Sequence, residues 1–221
     1  VTTPTFDLER TLLADGASFV VGFDEVGKGA WAGPLLVGAA VLELQDVTSP
    51  VTGVLAAVRD SKAISERKRE ALFDDLARAC RGWSFGVATH AECDALGMNA
   101  AQRLAARRAC AGLGVALDAA AAVVDGTWDF VSPHVGRVVT EVKADASCMS
   151  VAVASVLAKV SRDRMMREWA LDFPQWSFET NKGYPCAKHR AALQGYGPSA
   201  VHRTSWAFMD NFVPWMVGGP R

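Results

Sequence analysis

The chain has 221 residues and a formal net charge of −1, with half its residues apolar and 21% charged. That balance excludes a disordered chain, and the near-zero charge excludes a sequence-blind nucleic-acid coat protein, which would be strongly basic. Five scattered cysteines without a CxxC pair exclude a disulfide framework or a zinc ribbon and predict a reducing, cytoplasmic setting.

Residues 18–27 (SFVVGFDEVG) form a β-branched and aromatic run that predicts a buried strand. Residues 34–44 predict a second strand, opened by Pro34 after the glycine-rich turn Gly27-Lys28-Gly29. Strands this close in sequence predict an antiparallel hairpin. Residues 65–80 predict a helix, with Ser65 as N-cap and Leu72, Phe73, Leu76 and Cys80 on one face. Residues 82–89 alternate as a third strand. A helix is predicted over 99–112 with Asn99 as cap. Residues 120–125 predict a short strand stopping at Asp125-Gly126, and 137–143 a fifth. Residues 147–170 predict a long helix, apolar first and charged later, hence buried at its start and exposed at its end. A last short helix is predicted over 187–195, and 213–221 reads as a tail. The abundant alanines read as compositional bias with good helix propensity. No apolar stretch approaches the ~18 residues of a membrane span, and the first residues lack a signal-peptide pattern. The order of elements predicts a single α/β domain over 1–221. It has a mixed central sheet flanked by helices (core about 18–172) and a helical C-terminal extension (about 173–212).

Two glycine motifs are decoys. Gly22 to Lys28 imitates a phosphate-binding loop, but Asp24 and Glu25 would oppose a phosphate there, and a strand follows where a helix is needed. The second, Gly27-x-Gly29-x-x-Ala32, lacks a following helix for the same reason.

The informative feature is the placing of four acids at strand ends. Asp24 and Glu25 close the first strand, Asp125 closes the fourth, and Asp145 follows the fifth. Each lies in apolar sequence. Taken singly, an acid after a strand is more often a turn or cap residue. The adjacent pair Asp24-Glu25 inside a buried strand has no such structural account. Buried carboxylates repel one another, and a divalent cation removes that cost. An oxygen-only donor set points to magnesium or manganese, and two such ions suit phosphodiester cleavage. Successive strand side chains face opposite ways, so joint ligation by Asp24 and Glu25 requires the strand to end or bend there.

Six segments then resemble one family, type 2 ribonuclease H (ribonuclease HII). They are GFDEVGKGAWAGPLLVGAAVL (22–42), DSKAISERKREALF (60–73), NAAQRLAARRA (99–109), VVDG (123–126), KADASCMSVAVASVLAKVSRDRMM (143–166) and NKGYPCAKHRAALQGYGPSAVHRTSW (181–206). The resemblance implies a ribonuclease H-like fold, with Asp24, Glu25, Asp125 and Asp145 as catalytic metal ligands for two Mg2+ or Mn2+ ions. It implies hydrolysis of the RNA strand of RNA/DNA hybrids and incision 5′ of ribonucleotides embedded in duplex DNA, leaving 3′-hydroxyl and 5′-phosphate ends. It implies that the backbone of Gly27, Lys28 and Gly29 reads the ribose 2′-hydroxyl, and that Tyr184 lies at the RNA–DNA junction. Two residues depart from the family pattern, Lys28 standing for arginine and Asn181 for histidine. Ser61, Lys62, Lys143, Lys159, Arg162, His202 and Arg203 are candidate phosphate contacts, each basic one against the competing reading of a solvated surface charge. A monomer acting on nucleic acid without a membrane is expected. The rival readings are a general hybrid-degrading ribonuclease H without junction preference and a non-catalytic hybrid-binding module. The charge is also polarised along the chain, with a net of −5 over residues 1–60, 0 over 61–142 and +4 over 143–221.

Overall fold

A computed structural model describes residues 3–59 and 64–213. Helix α1 (Asp7–Ala14) precedes strands β1 (Val20–Val26) and β2 (Leu35–Leu42). A short α2 (Leu44–Thr48) and a 3-10 turn (Gly53–Ala57) lead to α3 (Glu66–Ala79), and Ser65 caps α3 as expected, its hydroxyl accepting from the Lys68 N–H. Next come β3 (Cys80–Ala88), α4 (His90–Leu96), α5 (Met98–Gly112), β4 (Ala121–Asp125) and β5 (Arg137–Glu141). The one-turn α6 (Ala144–Ser147) and the long α7 (Met149–Asp172) follow, then α8 (Phe178–Asn181), α9 (Ala187–Tyr196) and α10 (Phe208–Phe212).

The strands form one mixed sheet in the order β3-β2-β1-β4-β5. The β1–β2 and β2–β3 pairs are antiparallel, and β1–β4 and β4–β5 are parallel. Helix α5 covers one face, where Ala101, Ala105, Ala106 and Ala109 pack among Phe23, Val37 and Val124. Helix α7 covers the other, with Met149, Val153, Val156 and Leu157 in its core. The alanines therefore serve packing rather than mere helix propensity. They let both helices approach so closely that a Cβ on Gly22 would meet the Val151 N of α7 at 2.3 Å, and one on Gly86 the Ala105 O of α5 at 1.9 Å.

Three expectations need correction. Asn99 does not cap α5: Gly97, at φ +76°, ends α4 and starts α5 at once. The long helix starts and ends two residues later than expected, at Met149 and Asp172, because Cys148 is extended between α6 and α7. The charged half of α7 is exposed only in part: Arg164, Glu168, Leu171 and Asp172 face solvent, but one side of it does not. Arg162, Asp163 and Met166 are buried because α8, α9 and α10 form a third apolar cluster over them with Trp176, Phe178, Leu193 and Phe208. Trp31, from the loop after β1, inserts into that cluster and stacks on Phe208 at 4.3 Å between ring centres. The C-terminal extension thus grips the β1–β2 loop. No helix among the described residues is long and apolar enough to cross a membrane.

Candidate active site

The carboxyl ends of the parallel strands β1, β4 and β5 lie side by side, the usual place for a ligand in an open α/β sheet. Asp24 and Glu25 end β1 there and Asp125 ends β4. Asp145 lies in α6, just beyond β5, and is buried. Strand β1 pairs with β4 only through Phe23 and itself ends at Val26, so both acids stand where the strand stops, although its pairing with β2 keeps it extended between them. They therefore leave opposite faces of the sheet. Asp24 meets Ser155 of α7, while Glu25 accepts a 3.2 Å hydrogen bond from the Gln102 amide of α5. Asp125 accepts from the Ala144 N–H at 2.8 Å, which ties β4 to α6.

These acids feel one another. Burial pushes the Asp24 carboxyl up to about 8; the Ser155 hydroxyl opposes the rise, while Glu25, Asp125 and Asp145 add to it. Glu25 is also raised by burial and by Asp125, against the pull of the Lys28 ammonium 3.7 Å away. Among the described residues no three His, Cys, Asp or Glu side chains form a ready-made metal cage. The donor set nevertheless fits a divalent cation, because the repulsion and desolvation that hold Asp24 protonated are what a cation between carboxylates relieves.

Beside the acids lies the turn. Gly27 sits at φ +88°, where a Cβ would strike the Arg162 Nε at 2.2 Å, so the fold demands glycine there. At Gly29 a Cβ would meet nothing within 4 Å. The protein itself does not require that glycine, and its bare backbone leaves room for a ligand. The Tyr184 hydroxyl accepts from the Gly27 N–H at 3.0 Å, which joins the turn to the residue expected at the junction. The tyrosine ring lies 5.4 Å from the Arg162 guanidinium and 5.9 Å from the Lys159 ammonium. Asn181, the departure from the family pattern, donates to the Trp176 carbonyl and accepts from the Gly183 N–H at 2.8 Å, fixing the bend that presents Tyr184.

Several proposed phosphate contacts face inward instead. Arg162 is fully buried and donates to the carbonyls of Ala32, Pro34 and Lys182. Arg203 is equally buried against Gly27, Lys28 and Gly33. His202 accepts at Nδ1 from the Ser199 N–H, so its Nε2 carries the proton and donates to His189 Nε2 at 2.8 Å. His189 Nδ1 in turn donates to the Tyr184 carbonyl. Burial and this neighbour push His202 down to about 3, so the pair stays neutral. Lys159 is tied to Asp163 at 2.6 Å, and Lys143 is exposed. Ser61 and Lys62 lie outside the described residues. Sequence reasoning passed over Gln102, Ser155 and His189. Only Gln102 left a signal, as a polar residue within the alanine stripe of α5.

Comparison with known proteins adds a separate line of support. A family model described as Ribonuclease HII matches residues 21–209. The Ribonuclease HII of Streptomyces avermitilis is 43% identical over 96% of the chain and 87% of its own length. That of Chloroflexus aggregans is 37% identical over 92% of the chain and 93% of its own length. Among solved structures, the ribonuclease H2 of Pyrococcus horikoshii OT3 superposes with a TM-score of 0.68 at 26% identity, covering 91% of this chain and all of that one.

Proposed function

The chain belongs to the ribonuclease HII family, endoribonucleases that cleave RNA in RNA/DNA hybrids and ribonucleotides in DNA, and on that premise we propose that Asp24, Glu25, Asp125 and Asp145 form its catalytic centre. The family is divalent-metal dependent; for this chain we propose two ions, Mg2+ or Mn2+, held by these four carboxylates. Such ions supply Lewis-acid stabilisation to the attacking and leaving oxygens of a phosphodiester. The observation that carries the reading is the buried Asp24, held protonated to about pH 8 by desolvation and three neighbouring acids. Clustered charge of this sign gains nothing for a module that only binds phosphates.

The chain's own residues prepare the site. Gln102 orients Glu25, the Ala144 N–H orients Asp125, and Ser155 holds Asp24. The turn Gly27-Lys28-Gly29 approaches the ribose with bare backbone, where the 2′-hydroxyl distinguishes RNA from DNA. Tyr184, braced from behind by His189 and Asn181, meets the next sugar at the junction. The cut falls 5′ of the ribonucleotide and leaves 3′-hydroxyl and 5′-phosphate ends.

Asp125→Asn tests the centre, because asparagine keeps the oxygen that accepts from Ala144 while it removes the charge and turns the other oxygen into an NH2 group. Cleavage of a duplex carrying a single ribonucleotide should fall by about 100-fold or more, beyond the 10–100-fold that loss of a ligand's supporting partner costs. Affinity for the hybrid should remain. Wild-type turnover by this variant in magnesium would remove Asp125 from the centre. The wild-type chain on the same substrate separates a junction enzyme, which nicks it, from a general hybrid-degrading one, which does not.

A further inference from the structure

We propose that Arg203 is a positioning residue, which makes the turn Gly27-Lys28-Gly29 a pair of outward-facing, polarised N–H donors for the ribose 2′-hydroxyl. The inference rests on reading that turn as the ribose reader.

Arg203 is fully buried. Its Nη2 donates to the Gly27 carbonyl at 2.7 Å and its Nη1 to the Lys28 carbonyl at 3.0 Å. The Gly33 carbonyl takes the Nε at 3.2 Å and the Nη2 again at 3.1 Å. Among the described residues all its hydrogen-bond partners are carbonyls of this one loop, and none is a carboxylate. Burying a guanidinium with no carboxylate bonded to it is costly, and Asp94 acts on Arg203 only through space. A neutral side chain would fill the space at lower cost, so the charge answers a need of the loop.

Peptide geometry shows what that need is. A trans peptide is planar, with its C=O and N–H pointing opposite ways. The Gly27 carbonyl shares a peptide unit with the Lys28 N–H, and the Lys28 carbonyl shares one with the Gly29 N–H. Arg203 draws both carbonyls inward, so both N–H groups face outward. Neither has a partner among the described residues. Two successive N–H groups aimed the same way make a concave site for an oxygen lone pair. A cation on each carbonyl polarises the amide and strengthens its N–H as a donor. The Gly27 N–H, already given to Tyr184, stands apart from this pair. The Lys28 side chain also takes no part, since it reaches toward Glu25 and lies 5.8 Å from the Trp128 ring. This accounts for lysine serving where the family pattern has arginine.

The test is Arg203→Lys and Arg203→Gln in the full chain. Three quantities are measured: kcat/KM on duplex DNA with one ribonucleotide, Kd for the same duplex without it, and the 15N resonances of the Lys28 and Gly29 amides. In Arg203→Lys, which keeps a cation near the carbonyls, kcat/KM should fall by about 10–100-fold, the range for a lost charged hydrogen bond. All-DNA affinity should fall far less, and both amide resonances should move. An equal fall in cleavage and all-DNA binding would make Arg203 a scaffold residue only and overturn the proposal. So would wild-type kcat/KM with unmoved resonances. If Arg203→Gln does not fold, Arg203→Lys alone decides. A wild-type chain that fails to prefer the ribonucleotide-bearing duplex overturns the reading of the turn, and this shows before any variant is made.

Discussion

At Asp24 the demands of stability and chemistry oppose each other. Its carboxyl titrates near 8 in the fold, against an ordinary 3.8, chiefly because burial penalises the charge. As pH rises from about 4 to about 8 the unfolded chain has released a proton that the native chain still holds. Metal-free stability from this residue therefore falls across that window, and the loss is complete above it. Asp24→Asn keeps the shape and an acceptor for Ser155 while removing the charge. In the presence of a chelator at pH 8 the variant should be more stable than wild type by about 1–2 kcal/mol, the common yield of relieving a strained active site. Near pH 4 the advantage should vanish, and at every pH cleavage should be lost. Thermal unfolding at the two pH values checks this. A variant less stable than wild type at pH 8 would mean that the repulsion around Asp24 is not the dominant effect.

The sheet and its two covering helices were legible because their signals are local. The apolar runs of β1 and β2 and the alternation of β3 have the period of strands, and the Ser65 cap marks where α3 begins. The four acids were legible for the same reason, as charges in apolar sequence. What was missed is long-range. Arg203 meets Lys28 across 175 positions, and nothing in the neighbourhood of residue 203 announces that the side chain turns inward. The buried side of the second half of α7 was missed likewise, because the cover that α8 to α10 provide is visible only in three dimensions. The short helices α4 and α6 follow from caps and a single turn, a weaker signal than periodicity. Close helix–sheet approach is the element-scale device with a sharp test. Gly86 of β3 lies directly under α5, which carries Gln102 toward Glu25. Gly86→Ala must push α5 outward, at a cost of about 1–3 kcal/mol of overpacking, measurable by denaturant unfolding. The Gln102–Glu25 contact should loosen with it and kcat should fall. Unchanged stability would mean that α5 yields more easily than its backbone contact implies.

At the scale of the whole molecule, much of the basic charge behind the net of +4 over residues 143–221 is tied up inside the fold, while Lys143, Lys188 and Arg190 stay exposed. Arg162 and Arg203 are spent on carbonyls, Lys159 on Asp163, and Lys182, Arg164 and Arg167 on Glu66 and Glu70. Charge counted along a chain does not register such internal neutralisation. The cations we propose to meet phosphate near the acids come instead from the turn and from α5, Lys28 being shared with Glu25. Lys28 is 44% exposed, Arg103 is exposed, and the two lie 5.8 and 5.1 Å from the Trp128 ring, next to the end of β4. Each phosphate contact releases a counterion, so the slope of log affinity against log salt reports their number. Arg103→Ala should lower hybrid affinity and reduce the magnitude of that slope by about 1, with stability changed by no more than about 0.5 kcal/mol, as for an ordinary surface site. Arg164→Ala, which breaks the ion pair with Glu70 on the far side of α7, should leave the slope where it was. Titrations at several salt concentrations compare the two. If Arg103→Ala leaves the slope unchanged while Arg164→Ala lowers it, the duplex lies across α3 and α7 rather than over Trp128, and the binding face must be redrawn around them.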